Sequence, residues 1–359
     1  MKVVDLFCGA GGFTLGAHAA GFSTALALDI DSTLSSPIAR CLPSVRLEIA
    51  SVADLPNAFI VDSVGRPDGI IGGPPCQGFS EIGRNDPLDP RNELVSHFYR
   101  HVAAAQPRFF VMENVRGILR KYGREILDKA IQLVEPKYEI IGPVLINANR
   151  HGAPTTRPRV IVVGVHREER VRLNVSSFSG VENATINVHA AIGDLRTARQ
   201  SGTDALGFDR WSYGSGRPSA YAARMRLQGT RKLTEFSGHA RTVHSDAVID
   251  RFNKVAQGKT DSIGRHPRLS NTGVCPTLRA GTGSDRGSYQ SVRPIHPIED
   301  RVITVREAAR LQGFPDWYDF HPTVWHSFRM IGNSVPPPVS ESILRTVRDA
   351  LAGSVRPEA

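Results

Sequence analysis

At 359 residues, with 40% hydrophobic and 22% charged residues, the chain is too long for a lone small module and too apolar for a disordered polymer; it can bury a full core and a second domain, because single cores stop growing at about 250–300 residues. No apolar run approaches the roughly 20 residues that cross a bilayer, and the opening MKVVDLFCGAGG carries no signal-peptide pattern, so a cytoplasmic protein without membrane contact is expected. Of the net charge of +9, most falls in residues 171–300, where 18 Lys or Arg face 11 Asp or Glu, a net of +7; this suits a polyanion such as nucleic acid, although a solvated arginine-rich surface gives the same balance.

In chain order, residues 3–7, 23–28, 68–73, 108–113 and 159–165 are short apolar runs that read as buried strands, with helical spacing around 15–20, 94–105 and 118–134. This alternation predicts an α/β fold with a doubly wound, mostly parallel sheet, whose ligands bind at the carboxyl ends of the strands. Residues 171–300 break the alternation and are rich in Gly, Ser and Arg, as in GSGRPS and AGTGSDRGS. After 300 the pattern returns: Thr304 and Glu307 form a capping box before VREAARLQ, and a last helix is predicted over 339–351. The expected organisation is one domain from 1–170 plus 301–359 and a smaller irregular domain from 171–300.

Four segments carry chemistry. DLFCGAGGFTLG, residues 5–16, is a strand ending in a glycine-rich turn that opens a helix, where backbone can approach a ligand and free amides meet it. Asp29 follows the next strand, placed to accept hydrogen bonds from a ribose diol. Alone, these two features describe any nucleotide-type cofactor, a dinucleotide dehydrogenase included. GGPPCQGFS, residues 72–80, sets Cys76 after two prolines that stiffen its loop at a strand end. The other cysteines, Cys8, Cys41 and Cys275, take the structural reading usual for buried thiols, although Cys8 sits in the cofactor turn. The four are scattered without a C-x-x-C pair, so neither a metal site nor a disulfide is expected. FFVMENV puts Glu113 and Asn114 at another strand end, where a carboxyl could share a proton or simply cap the next helix. In TTRPRVIVVG, Arg157 and Arg159 flank a strand and could hold a carbonyl oxygen or phosphate.

In this order the segments resemble the cytosine carbon-5 DNA methyltransferase family: DLFCGAGG its cofactor loop, GGPPCQGFS its nucleophile loop, ENV its acid strand, and INANRHGAPTTRPR its arginine motif. RVITVREAARLQGFP resembles its late helix motif and MIGNSVPP its C-terminal cofactor motif; DPRNEL at 89–94 and PTLRAGTG at 276–283 also fit. The resemblance spans roughly 1–165 and 276–340. It implies a Rossmann-like methyltransferase fold, S-adenosylmethionine as methyl donor with S-adenosylhomocysteine as product, and double-stranded DNA as substrate, with 171–300 as the target-recognition domain. Cys76 would attack carbon 6 of a cytosine flipped from the duplex, Glu113 would engage ring nitrogen 3, Arg159 would hold the base carbonyl, and Arg157 would support the loop. The base that takes the carbon-5 proton stays open. By the same resemblance Phe7, Gly9, Gly11, Gly12, Asp29 and Ile30 bind the cofactor, completed by Asn92, Asn333 and Ser334.

The sequence departs from the family pattern at three places. Ser51 stands where an acid usually contacts the adenine amino group, with Asp54 as substitute; Thr155 stands for a common Gln in the arginine motif; Met330 stands for a Gln before Ile-Gly-Asn. Two other readings remain: a tRNA-modifying member of the same family, and a catalytically silent DNA-binding relative, against which intact Cys76, Glu113 and Arg159 argue. With no regulatory extension before the first motif, a compact prokaryotic or phage enzyme is expected, monomeric and associated with the nucleoid. It would serve in restriction-modification beside a restriction endonuclease encoded nearby, or stand alone as an orphan methyltransferase.

Overall fold

The computed structural model describes residues 1–75, 93–181, 185–280 and 292–353. The chain divides into two compact units, the first made of Met1–His151, Pro158–Val181 and Pro337–Ala359, the second of Gly152–Arg157 and Glu182–Pro336. Residues 301–336 therefore lie in the second unit.

The first unit is built on seven strands: β1 (Lys2–Leu6), β2 (Ser23–Asp29), β3 (Arg46–Ile49), β4 (Gly69–Gly72), β5 (Phe109–Val115), β6 (Tyr138–Asn147) and β8 (Pro158–His166), while the two-residue β7 (Thr155–Thr156) belongs to the second unit. Their order in the sheet is β3-β2-β1-β4-β5-β8-β6. The first five pair in parallel, and β8 runs antiparallel to both of its neighbours. Strands flanked by helices on both faces must be apolar throughout, and β4 and nearly all of β5 are buried at every position. The expected α/β fold with a mostly parallel sheet is what the chain adopts. The five strands read from the sequence all form; β3 and β6 are additions. The direction of β8 follows from connection length: only ten residues separate it from β6, fewer than the dozen or more that a parallel crossover requires.

The chain leaves β1 toward β2 and β3 and then returns to set β4 on the other side of β1. That reversal opens a crevice at the carboxyl ends of β1 and β4, the place where open α/β sheets bind ligands. Beneath it lies a core containing Val4, Leu6, Leu28, Ile70, Phe98, Tyr99, Phe110 and Val162. Helix α1 (Gly12–Ala19) packs on the C-terminal helix Pro337–Gly353 so tightly that a β-carbon on Gly16 would fall 2.1 Å from Ser340 Oγ. The same Ser340 hydroxyl donates to the Gly12 carbonyl at 3.0 Å.

The second unit holds an antiparallel sheet of β9 (Arg199–Thr203), β10 (Asp209–Ser212) and β13 (Glu235–Ser237), with β10 in the middle. A separate hairpin joins β11 (Leu227–Gln228) to β12 (Arg231–Lys232), and β14 (Cys275–Pro276) pairs in parallel with β7. Short helices fill the rest, among them Val305–Leu311, whose Thr304–Glu307 capping box forms as its sequence predicts. No helix among the described residues is long and apolar enough to cross a membrane.

Candidate active site

The turn after β1 is shaped by backbone. Phe7, Gly9 and Gly11 have φ of 63°, 48° and 76°, the left-handed region that favours glycine, so the chain can fold back and free the first amides of α1. A β-carbon on Gly9 would meet nothing within 4 Å, which leaves open space above the turn, whereas Gly11 and Gly12 are buried beneath it. Asp29, at the end of β2, braces the turn: its Oδ2 accepts from the Gly9 amide at 2.7 Å and its Oδ1 from the Asp31 amide at 2.8 Å. Beside it Ile30 is 72% exposed, an apolar chain offered to a flat partner.

Under the turn, Thr14 Oγ1 donates to Asp5 Oδ2 at 2.6 Å. Burial, countered by that hydrogen bond and reinforced by Asp29, raises the Asp5 carboxyl to about 7. Cys8 is buried in the same place, and burial, then Asp5 and Asp29, push its thiol well up. A thiol held neutral in this way is a packing group and not a nucleophile. Burial likewise pushes the Cys275 thiol up, in the second unit.

At the ends of β4 and β5 a second cluster forms. Glu113 sits on β5, and Arg159, on the antiparallel neighbour β8, reaches it with Nε 2.7 Å from Glu113 Oε1; both side chains are about nine-tenths buried. Burial pushes the Arg159 guanidinium down, and the neighbouring Glu113 opposes that shift. Asn114, buried next to Glu113, donates from Nδ2 to the carbonyl of Pro74 at 3.1 Å. It therefore clamps the loop that follows β4, and a β-carbon on Gly73 would stand only 3.1 Å from Glu113 Oε2. The sequence places Asn114 at a strand end but gives no sign of this contact, because an amide reaching across 40 positions leaves no trace in spacing. Cys76 and Asn92 lie outside the described residues.

Arg157 belongs to the second unit and is buried there, donating to the Leu278 carbonyl at 3.1 Å and the Gly332 carbonyl at 2.7 Å. It thus ties the PTLR segment to the end of helix Val324–Asn333. Thr155, standing where Gln is common, gives its hydroxyl to the Cys275 carbonyl at 3.1 Å. Asn333 is exposed, whereas Ser334 is buried with its hydroxyl donated to the Met330 carbonyl at 2.7 Å. Ser51 is half-buried just beyond β3, and Asp54 is exposed.

Residues 1–349 match the C-5 cytosine-specific DNA methylase family. The chain is 37% identical, over 97% of its length and 84% of the relative's, to the Type II methyltransferase M.XorII of Xanthomonas oryzae pv. oryzae. It is 31% identical, over 97% and 88%, to the Type II methyltransferase M.DdeI of Desulfomicrobium norvegicum. Among solved structures, an E. coli prophage protein described as a DNA modification methyltransferase superposes with a TM-score of 0.85 at 37% identity, covering 98% of this chain and 99% of that one. The Schizosaccharomyces pombe Dnmt2 methyltransferase shares the fold, with a TM-score of 0.63 at 16% identity over 98% of both chains. A Gly-rich turn braced by an acid, a buried Glu–Arg pair beside a clamped loop, and a family match over nearly the whole length make this chain a member of the C-5 cytosine-specific DNA methylase family, a DNA cytosine-5-methyltransferase.

Proposed function

We propose that the enzyme methylates cytosine within a specific duplex sequence through a covalent adduct at Cys76, with the base rotated out of the helix. The observation that carries this reading is the Glu113–Arg159 pair beside the loop that Asn114 clamps. A buried, oriented carboxylate with a guanidinium alongside matches the polar edge of cytosine, where ring nitrogen 3 and the carbonyl oxygen are adjacent. Such an edge is available only when the base is unstacked. In this reading the Cys76 thiolate adds to carbon 6, Glu113 hydrogen-bonds or protonates nitrogen 3, and Arg159 holds the carbonyl oxygen. Charge is thereby kept off the ring, and carbon 5 becomes nucleophilic. After transfer the carbon-5 proton leaves and the Cys76–carbon 6 bond breaks by elimination, which restores thiolate and aromatic ring.

The turn fits S-adenosylmethionine: open space over Gly9, a carboxylate at the end of β2 in Asp29 for a ribose diol, and exposed Ile30 for a purine face. When bound, that group supplies an electrophilic methyl on a sulfonium. Phe7, Gly11 and Gly12 shape the floor, with Asn92, Asn333 and Ser334 assigned as further contacts. We assign Arg157 to supporting the loop that precedes β8, through its bonds to the Leu278 and Gly332 carbonyls. Residues 1–170 with 301–359 are assigned to catalysis and 171–300 to target recognition. The relatives' Type II designation supports a role in restriction-modification, partnered by an endonuclease encoded nearby.

A duplex carrying 5-fluorocytosine tests the adduct, because carbon–fluorine cannot be lost as a proton is. With S-adenosylmethionine present, wild type should remain attached to this DNA through denaturing electrophoresis and Cys76→Ser should not. Equal attachment of both proteins, or of neither while unmodified DNA is methylated, would overturn the covalent route.

A further inference from the structure

The β11–β12 hairpin of the second unit stands out from its surroundings. Residues 227–232 are all exposed, and the turn between the strands is Gly229-Thr230 with Gly229 at φ 60°. The register sets Gln228 opposite Arg231 and Leu227 opposite Lys232. Directly opposed residues share one face of a ribbon, so one face presents Gln228 with Arg231. The side chains of Gln228, Thr230, Arg231 and Lys232 make no hydrogen bond or ion pair with any described residue. Six other arginines of this unit, Arg210, Arg226, Arg268, Arg301, Arg306 and Arg310, each hold a carboxylate.

The root of the hairpin is rigid. Arg226, the residue before β11, is buried; its Nε donates to Asp194 Oδ2 at 3.0 Å, and its guanidinium lies 4.0 Å from the Tyr213 ring centre. Asp194 also accepts from Arg310 at 2.6 Å, Arg310 pairs with Asp316, and Asp316 accepts the Tyr213 hydroxyl at 2.7 Å. The Leu233 amide closes the base on the Arg226 carbonyl at 2.8 Å. Burying so many charges is costly unless every one is satisfied, and a closed network of this kind admits one geometry. A pre-set arm with unspent donors at its tip is the arrangement of a recognition element.

We propose that this hairpin enters the DNA major groove and reads part of the target sequence, with Arg231 and Gln228 on base edges and Lys232 on a phosphate. The proposal rests on DNA being the substrate. The groove, about 12 Å wide, admits a two-stranded ribbon; Arg forks onto guanine O6 and N7, and Gln pairs with adenine N6 and N7.

The test is methylation of a duplex library holding every short sequence context, read by sequencing, for wild type and for Q228A, R231A, R231K and K232A. R231A should lose roughly tenfold to a hundredfold in kcat/KM on the preferred site and relax the preference at one base position. R231K should keep the salt dependence of DNA binding but not restore that preference. K232A should weaken binding evenly across sequences and lower the salt slope by about one. S-adenosylmethionine affinity should be unchanged in all four. Unaltered rate and preference in both R231A and Q228A would overturn the hairpin's role, as would full restoration of preference by R231K. If wild type itself methylates no DNA while binding the cofactor, the functional reading falls first and takes the hairpin's role with it.

Discussion

Glu113 and Arg159 lie 46 positions apart in sequence and 2.7 Å apart in space, on adjacent strands that place both charges at one end of the sheet. Removing one partner of a buried pair leaves the other uncompensated. Arg159→Ala is therefore expected to lower kcat about a hundredfold or more, in line with the loss of one electrostatic donor, while S-adenosylmethionine affinity holds; steady-state kinetics with a cofactor titration checks both. Asp5 gives a pH prediction. Its carboxyl titrates near 7 in the folded protein against 3.8 ordinarily, so between those values the native state binds more protons than the unfolded one. Stability should therefore fall as pH rises from about 4 to about 7 and then level. Urea midpoints measured from pH 4 to 8 should show this slope, flattened in Asp5→Asn. At this scale the sequence named the strand-end groups, Glu113, Arg159 and Asp29, because the fold class fixes where strand ends go. It missed the Thr14–Asp5 and Asn114–Pro74 contacts, which depend on side-chain reach and leave no periodic signal.

Elements were legible where composition matched both period and burial. The runs 68–73 and 108–113 are apolar throughout because their strands are covered on both faces. The edge strands were not. β3 has no fully buried residue, and β6 alternates buried with exposed positions and carries Gly142-Pro143, which the sheet absorbs through a register shift between Ile141 and Val144. β3 offered no continuous apolar run, and in β6 the apolar residues 140–146 are split by Gly142-Pro143, a turn signal in sequence. The contact between α1 and the C-terminal helix depends on Gly16, where a side chain would collide with Ser340 Oγ and, at 2.5 Å, the Pro337 carbonyl. Overpacking of this kind costs about 1–3 kcal/mol. Gly16→Val should therefore lower the urea midpoint, and because α1 opens at the cofactor turn it should weaken S-adenosylmethionine binding as well; calorimetric titration checks the second effect.

For the molecule as a whole, the sequence separated a regular α/β part from an irregular basic part, and the chain forms two compact units. Residues 301–336, whose helical pattern resembled the first part, lie with the second unit. Helix Val305–Leu311 is buried at all seven positions there, and its Arg306 and Arg310 hold carboxylates within that unit. A helix buried all round has no single apolar stripe to tell which unit it serves. Transfer of methyl to carbon 5 of cytosine by way of Cys76 is checked by supplying labelled S-adenosylmethionine and unmethylated duplex DNA to wild type and Cys76→Ser, then mapping the modified base. Wild type should place label at carbon 5 of cytosine within one short sequence, and the variant should place none. Label on another atom or base, or undiminished transfer by Cys76→Ser, would contradict it.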